Sequence, residues 1–337
     1  MAATLRTRVR FFQYVQWIAA EQWSVVRDHA RRRGVLIKGD LSFVCGRDSA
    51  DVWAQPALFD LNSSAGAPPD AFSATGQAWG LPLYNWTAMR ASGFRWWRQR
   101  ARQGADLFDL FRVDHVVGLF RTYAIPVRDG GAAGFVPPEH AEQASQGNDL
   151  LTAIVEEAGT SGVIAEDLGT VPDWVRASLT RLGIPGYKVL RWERDDGAFV
   201  DPRSYPALSV ATTGTHDTDT LVMWWKTLPP EERTLVVRSL QLTGTGLSTT
   251  DHAPPWSRRL HVGLLGRLLD AGSALTILPI QDLFGWRERI NTPATTDRHN
   301  WRYRLPVESS QLDAVPAVRE RMELIRAMID DSGRAGR

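Results

Sequence analysis

A parallel α/β architecture of the barrel kind is what the sequence predicts, and three observations predict it. Six short apolar segments end in polar or charged residues, as buried strands do. Patterns of helical period lie between most of them. One long aromatic-rich excursion follows the first segment, as an elaborated loop on the C-terminal face of a barrel would. The strand segments are 35–44, 110–117, 162–168, 187–192, 208–213 and 274–280.

The elements follow in order. Arg6, Arg8 and Arg10 precede an apolar run over 11–20, the order found in a signal peptide. Gln13 and Gln16 interrupt that run, and Trp17, Val25 and Val26 carry an amphipathic pattern beyond it, so a surface helix and a cytoplasmic protein are expected. No apolar stretch reaches the roughly eighteen residues of a membrane span, and no membrane partner is expected. Residues 47–104 hold Pro56, Pro68, Pro69 and Pro82, several glycines and five tryptophans (Trp53, Trp79, Trp86, Trp96, Trp97). This stretch reads as a loop and helical insertion over an active site. Helices are expected over 149–157, over 171–182 with Asp173 near the start, over 231–242 after Pro229-Pro230, and over 260–269 after Pro254-Pro255. Residues 331–337 are small and polar and are expected to be disordered. The whole of 1–337 is read as one catalytic domain.

Composition narrows the function classes. The 337 residues carry 39 Lys plus Arg against 38 Asp plus Glu, so the basic surplus of a nucleic-acid binder is missing. Cys45 is the single cysteine, which excludes an internal disulfide and a multi-cysteine zinc site. The 14 tryptophans are the unusual count. Most suit a core, but flat aromatic faces also stack on the apolar faces of sugars.

Asp114, Glu166 and Asp217 each stand where an apolar strand stops. The intervals between them leave room for a crossover helix and a further strand, so separate strands of one sheet can aim carboxylates at a common centre. An isolated Asp after a strand is commonly an N-cap. Asp167 suits a structural role, and His115 and His216 suit ordinary core histidines. The recurrence of acids beside Arg112 and His216 at separate strand ends shifts the reading towards catalysis. Paired carboxylates cleave glycosidic bonds with retention, one as nucleophile and the other as acid and then base. Arg112, two residues before Asp114, faces the same side of a strand and keeps Asp114 ionised. The acid needs the reverse, burial and neighbouring negative charge.

A series of motifs resembles a known family: Gly39-Asp40-Leu41, Asp48-Ser49-Ala50-Asp51-Val52-Trp53, the run from Pro68 to Gln77 with Trp79-Gly80, Arg112-Val113-Asp114-His115, Ala165-Glu166-Asp167-Leu168-Gly169, Thr215-His216-Asp217, Pro279-Ile280-Gln281-Asp282 and Asn300-Trp301. In that order they are similar to the signatures of 4-α-glucanotransferases, the amylomaltases or disproportionating enzymes of glycoside hydrolase family seventy-seven. The resemblance implies a (β/α)8 TIM barrel of the α-amylase superfamily, of which about six strands are visible. It implies transfer of α-1,4-glucan (malto-oligosaccharyl) units through a covalent glycosyl-enzyme, with maltodextrin or starch-type donors and glucose or maltose acceptors. It further implies Asp114 as nucleophile, Glu166 as general acid/base and Asp217 as transition-state stabiliser. Arg112, His216, Asp70, Phe72, Gln77 and Trp79 are implied sugar contacts, and no metal or organic cofactor is implied.

Ser42, Leu81 and Trp286 depart from the family pattern, and family members carry further residues upstream that include the first barrel strands. A hydrolase of the same superfamily is one alternative and a glucan-binding or inactive remnant another. A third reads His216, Asp217 and Asp219 as metal ligands, although the usual paired-His spacing is missing.

Overall fold

The computed structural model describes residues 2–69, 76–127, 132–242, 254–293, 295 and 297–334. The chain divides into two compact units, Met1–Pro185 and Gly186–Arg337.

The first unit runs α1 (Ala2–Arg32), β1 (Lys38–Leu41), α2 (Ala50–Ala54), β2 (Phe59–Ala67), β3 (Gln77–Tyr84), α3 (Trp86–Ala91) and α4 (Arg95–Leu107). It continues with β4 (Leu110–Val113), α5 (Val117–Phe120), β5 (Thr122–Pro126), β6 (Gly134–Val136), α6 (His140–Ala158), β7 (Gly162–Ala165) and α7 (Asp173–Arg181). Three of the expected strands, β1, β4 and β7, form a parallel sheet in that order, with Asp40 opposite Arg112 and Arg112 opposite Ile164. Helices cover the sheet because their apolar residues fall on one face. α4 buries Trp96, Trp97, Ala101 and Gly104, and α6 buries Gly147, Leu150, Leu151, Ile154 and Ala158. Gly147 is required by close packing: a Cβ there would lie 1.9 Å from the Phe120 ring.

The excursion after β1 is more ordered than a loop. β2 and β3 pair antiparallel, and β2 also pairs with β5, giving a four-stranded sheet of order β3-β2-β5-β6. Of the five tryptophans, Trp86, Trp96 and Trp97 are core, Trp79 packs against it, and Trp53 is exposed.

Helix α1 is seated through its second half only. Trp23 Nε1 donates to Leu107 O at 2.8 Å, and Arg27 donates to Ala105 O, Asp106 O and Phe108 O. Arg27 and Arg31 both pair with Asp109, whose other oxygen accepts Ile37 N–H at 2.9 Å. In the first half Phe11, Phe12, Tyr14 and Trp17 are each more than half exposed. Among the described residues no helix is long and apolar enough to cross a membrane.

The second unit runs β8 (Gly186–Val189), β9 (Arg194–Asp195), β10 (Ala198–Phe199), β11 (Ser209–Thr212), α8 (Leu221–Thr227), α9 (Pro230–Ser239), α10 (Arg258–Leu269), β12 (Leu275–Thr276), α11 (Ile280–Phe284) and α12 (Pro316–Asp331). The other three expected strands, β8, β11 and β12, form a second parallel sheet in the order β12-β11-β8. All four residues of β11 are buried, and Trp225, Val236, Leu240, Leu260, Leu264 and Leu268 pack around its end of the core.

Several boundaries differ from expectation. The segment 110–117 leaves the strand at Val113, because His115 takes a positive φ of 42° and turns the chain into α5. The segment 274–280 keeps two strand residues before Pro279 starts α11. Over 331–334 the described chain holds the end of α12 and Arg334, which donates to the carbonyls of Leu269, Ala271 and Ser273.

Candidate active site

In the first unit the site is built where β1, β4 and β7 end. Gly39 brings β1 close to Phe108, where a Cβ would lie 2.1 Å from the ring. The strand ends are stitched by Asp114 N–H to Leu41 O at 3.1 Å and Glu166 N–H to Val113 O at 2.9 Å. Arg112, Asp114 and Glu166 therefore meet on one side, as their strand-end positions imply.

Arg112 is the centre of this group, with its side chain 7% exposed. Its Nε donates to Asp40 Oδ1 at 3.0 Å and its Nη2 to Asp40 Oδ2 at 2.6 Å, a bidentate pair. Nη2 also donates to Asp114 Oδ1 at 3.1 Å, and Nη1 lies 3.5 Å from Glu166 Oε2. The second oxygen of Asp114 accepts Phe43 N–H at 3.3 Å, so both oxygens of that carboxylate face donors.

Glu166 is treated differently. Its Oε2 accepts the His115 N–H at 2.8 Å. Burial raises its pKa to about 7; Arg112 opposes that rise, and the charge of Asp114 and a hydrogen bond to it reinforce it. A carboxyl that keeps its proton to near neutrality therefore stands beside Asp114, whose two oxygens face donors. Lys38, two residues before Asp40 on β1, has its pKa lowered by burial and by Arg112. The His115 imidazole is pushed down to about 4 by burial, so it stands neutral, packed against Phe43 and Trp79 with ring centroids 5.4 and 5.1 Å away. Trp79 Nε1 donates to Gln77 Oε1 at 3.4 Å, which places both expected sugar-contact residues of β3 together. Asp70 and Phe72, also expected contacts, lie outside the described residues.

In the second unit His216 and Asp217 sit in the turn that follows β11. The turn is closed on itself, with Thr215 N–H donating to Thr218 Oγ1 at 3.1 Å and Asp217 N–H to Thr215 Oγ1 at 3.2 Å. His216 Nε2 lies 3.3 Å from Asp217 Oδ2, and its ring tilts over Trp301 at 5.1 Å. Asn291 Nδ2 donates to Asp217 Oδ1 at 2.6 Å. Arg289 donates to Asp217 O at 2.7 Å, to Asn291 O at 2.8 Å and to Asp219 Oδ1 at 2.8 Å. An arginine and an amide thus hold the two aspartates that a metal reading would need as ligands. Asp282 braces the same turn from below: its carboxylate accepts from Thr213 Oγ1 and from Leu221 N–H at 2.6 Å, and burial raises its pKa.

Asp40, Arg289 and Asn291 are the partners that sequence reasoning left without a role. Asp40 was visible as part of a motif, whereas nothing in spacing or composition connects Asn291 to Asp217. The three departures from the family pattern have local explanations. Ser42 accepts Arg100 Nη2 through both its carbonyl and its hydroxyl, Leu81 sits in β3 opposite Ala65, and Trp286 stacks on Phe284 with centroids 4.6 Å apart.

Residues 1–309 match the model of the 4-alpha-glucanotransferase family. The chain belongs to that family. The 4-alpha-glucanotransferase of Chlamydia muridarum is 36% identical over 322 residues, covering 92% of this chain and 59% of that protein. The one from Thermus thermophilus is 34% identical, covering 95% of this chain and 65% of the other. The amylomaltase of Streptococcus agalactiae, solved in complex with acarbose, superposes with a TM-score of 0.81 at 26% identity, covering 98% of this chain and 64% of that one. The chain thus spans somewhat over half the length of these family members, and its two three-stranded parallel sheets are part of the family's TIM-barrel-like fold without closing a barrel.

Proposed function

We propose that this family member transfers α-1,4-glucan units between glucans by a retaining double displacement. The observation that carries the reading is Arg112 set between the Asp114 carboxylate and a Glu166 held protonated up to about pH 7. In the first step a carboxylate oxygen of Asp114 attacks the anomeric carbon. The glycosidic C–O bond breaks, and Glu166 gives its proton to the departing oxygen. In the second step the hydroxyl of an acceptor glucan gives its proton back to Glu166 while its oxygen displaces Asp114. Asp217 stabilises the oxocarbenium-like charge of both transition states and accepts from sugar hydroxyls.

Arg112 and His216 hold the donor sugar, and Gln77, Trp79, Asp70 and Phe72 contact the glucan. The donors are maltodextrins or starch-type chains, and the acceptors are glucose, maltose or longer glucans. The acarbose bound by the streptococcal amylomaltase supports an α-glucan site. Every proton and bond in the two steps is supplied by side chains, so the reaction as written needs no cofactor.

Incubation with maltotriose tests the reading. Glucose and longer maltodextrins should accumulate with no net gain of reducing ends, whereas a hydrolase raises reducing ends. A second reading, a glucan-binding remnant, is favoured by the edge of β1, which has β4 as its one strand neighbour among the described residues. It predicts maltoheptaose binding by calorimetry without turnover.

A further inference from the structure

Asp40 is a charged residue at the site with no part in the two displacement steps. It sits directly opposite Arg112 in the β1–β4 ladder, and its carboxylate meets the Nε and Nη2 edge of the guanidinium. The same Nη2 also reaches Asp114, and Nη1 faces Glu166. The two residues stand in register across parallel strands, and the Arg112 side chain is 7% exposed. Asp40 is itself about half exposed, at 49%, which makes the pair asymmetric. A partly solvated anion neutralises a buried cation that two catalytic carboxyls share.

We propose that Asp40 is a positioning residue that acts through Arg112, fixing the plane of the guanidinium and moderating the positive charge it presents to Asp114 and Glu166. The inference rests on the proposed roles of Asp114 and Glu166 but not on turnover. The charged groups around Glu166 in this unit are Lys38 and Asp40 from β1, Arg112 and Asp114 from β4 and its end, and Asp167 beside it, which pairs with Arg176. With the charge of Asp40 removed, Arg112 acts on Glu166 less opposed, and the anionic form of Glu166 is favoured. The acid then loses its proton at lower pH, and the alkaline limb of the rate profile moves with it.

The test is a carboxyl-carbon NMR titration of the full chain labelled at glutamate, on the wild type and on Asp40→Asn and Asp40→Ser. In both variants the Glu166 midpoint should fall from about 7 by about one unit. The Arg112 Nε–H signal should lose its protection from exchange. In an Arg112→Gln background the same Asp40→Asn change should leave the midpoint where Arg112→Gln put it, because Asp40 then has nothing to act through. Variants that melt at lower temperature but titrate Glu166 at the wild-type midpoint would overturn the proposal and leave Asp40 a structural group. A shift that persists in the Arg112→Gln background would overturn it too, as a direct effect of Asp40 on Glu166. A chain that fails to disproportionate maltotriose but shows the expected midpoint shift would sink the functional reading and leave this inference standing.

Discussion

Asn291 donates a 2.6 Å hydrogen bond to the carboxylate of Asp217, from a loop 74 residues further along the chain. The bond is charge-assisted, and the same asparagine donates its backbone N–H to His216 O at 3.2 Å, so one residue fixes both members of the turn. A charge-assisted hydrogen bond contributes about 1.5–3 kcal/mol, which is about ten- to a hundredfold in rate. Asn291→Ala is expected to lower kcat for maltotriose transfer by that factor with KM little changed. An unchanged kcat would show that the turn holds Asp217 without it.

Asp114→Asn is expected to abolish the covalent glycosyl-enzyme while leaving the circular dichroism spectrum intact. The carboxylate sits between Arg112 and the Phe43 N–H, and the amide that replaces it is no nucleophile. Mass spectrometry after incubation with an activated glycosyl fluoride reads the result. An adduct on the variant would mean that another group attacks.

Glu166→Gln is expected to slow transfer from natural glucans by several orders of magnitude. Glycosylation by donors with excellent leaving groups should survive, because they need no proton. An equal loss with both donor types would mean that Glu166 holds geometry and does not act as an acid.

The same substitution has a stability signature. Glu166 ionises at about 7 in the folded chain against 4.5 for the free side chain, so the folded state keeps a proton that the unfolded state has lost. Below about pH 4.5 both states are protonated and Glu166 has no effect. Between about 4.5 and 7 the fold is progressively penalised, and above 7 the penalty is complete at about 3 kcal/mol. Glu166→Gln should therefore raise Tm at pH 8 and leave it unchanged at pH 4. Equal shifts at both pH values would refute the linkage.

The first half of α1 presents Phe11, Phe12, Tyr14 and Trp17 to solvent, and β1 has an unpaired edge among the described residues. Both features favour association. Light scattering on this chain alone is expected to report oligomers, and replacing Phe11, Phe12 and Trp17 by Gln should reduce them. Co-expression with the N-terminal portion of a longer family member should give a soluble complex that disproportionates maltotriose. A monomeric 337-residue chain that turns over maltotriose unaided would contradict both expectations.

The strands that carry the site were legible because burial on both faces leaves a near-continuous apolar run, and the acid at its end then stands out. Asp114 and Glu166 could be read in this way, and so could the strand that delivers Asp217. The antiparallel sheet was not legible. β2 opens with Phe59-Asp60-Leu61 but continues Asn62-Ser63-Ser64-Ala65-Gly66-Ala67, small residues with no alternation, and its ladder with β3 slips register twice. Pro82 and the glycines beside these strands signal turns and not pairing. The Asn291–Asp217 bond was also invisible, because the loop that carries Asn291 is placed by Arg289 and by contacts of Trp301 N–H with Ile290 O, none of which has a periodic signal.

The four-stranded sheet joins two pieces of chain that leave neighbouring strands of the site. β2 and β3 belong to the excursion after β1, β5 and β6 to the one after β4, and the seam between them is the β2–β5 ladder from Ser63 opposite Pro126 to Gly66 opposite Tyr123. Two loops sewn together in this way respond to a load as one plate. Trp79 on β3 packs against His115, and β3 is connected through β2 to β5 and to the root of that loop at Thr122, whose hydroxyl is tied to Gly118 O at 2.9 Å. Cutting the seam with a proline at Ala124 would let the two loops yield separately, and the stiffness of the sheet would then depend on each loop alone.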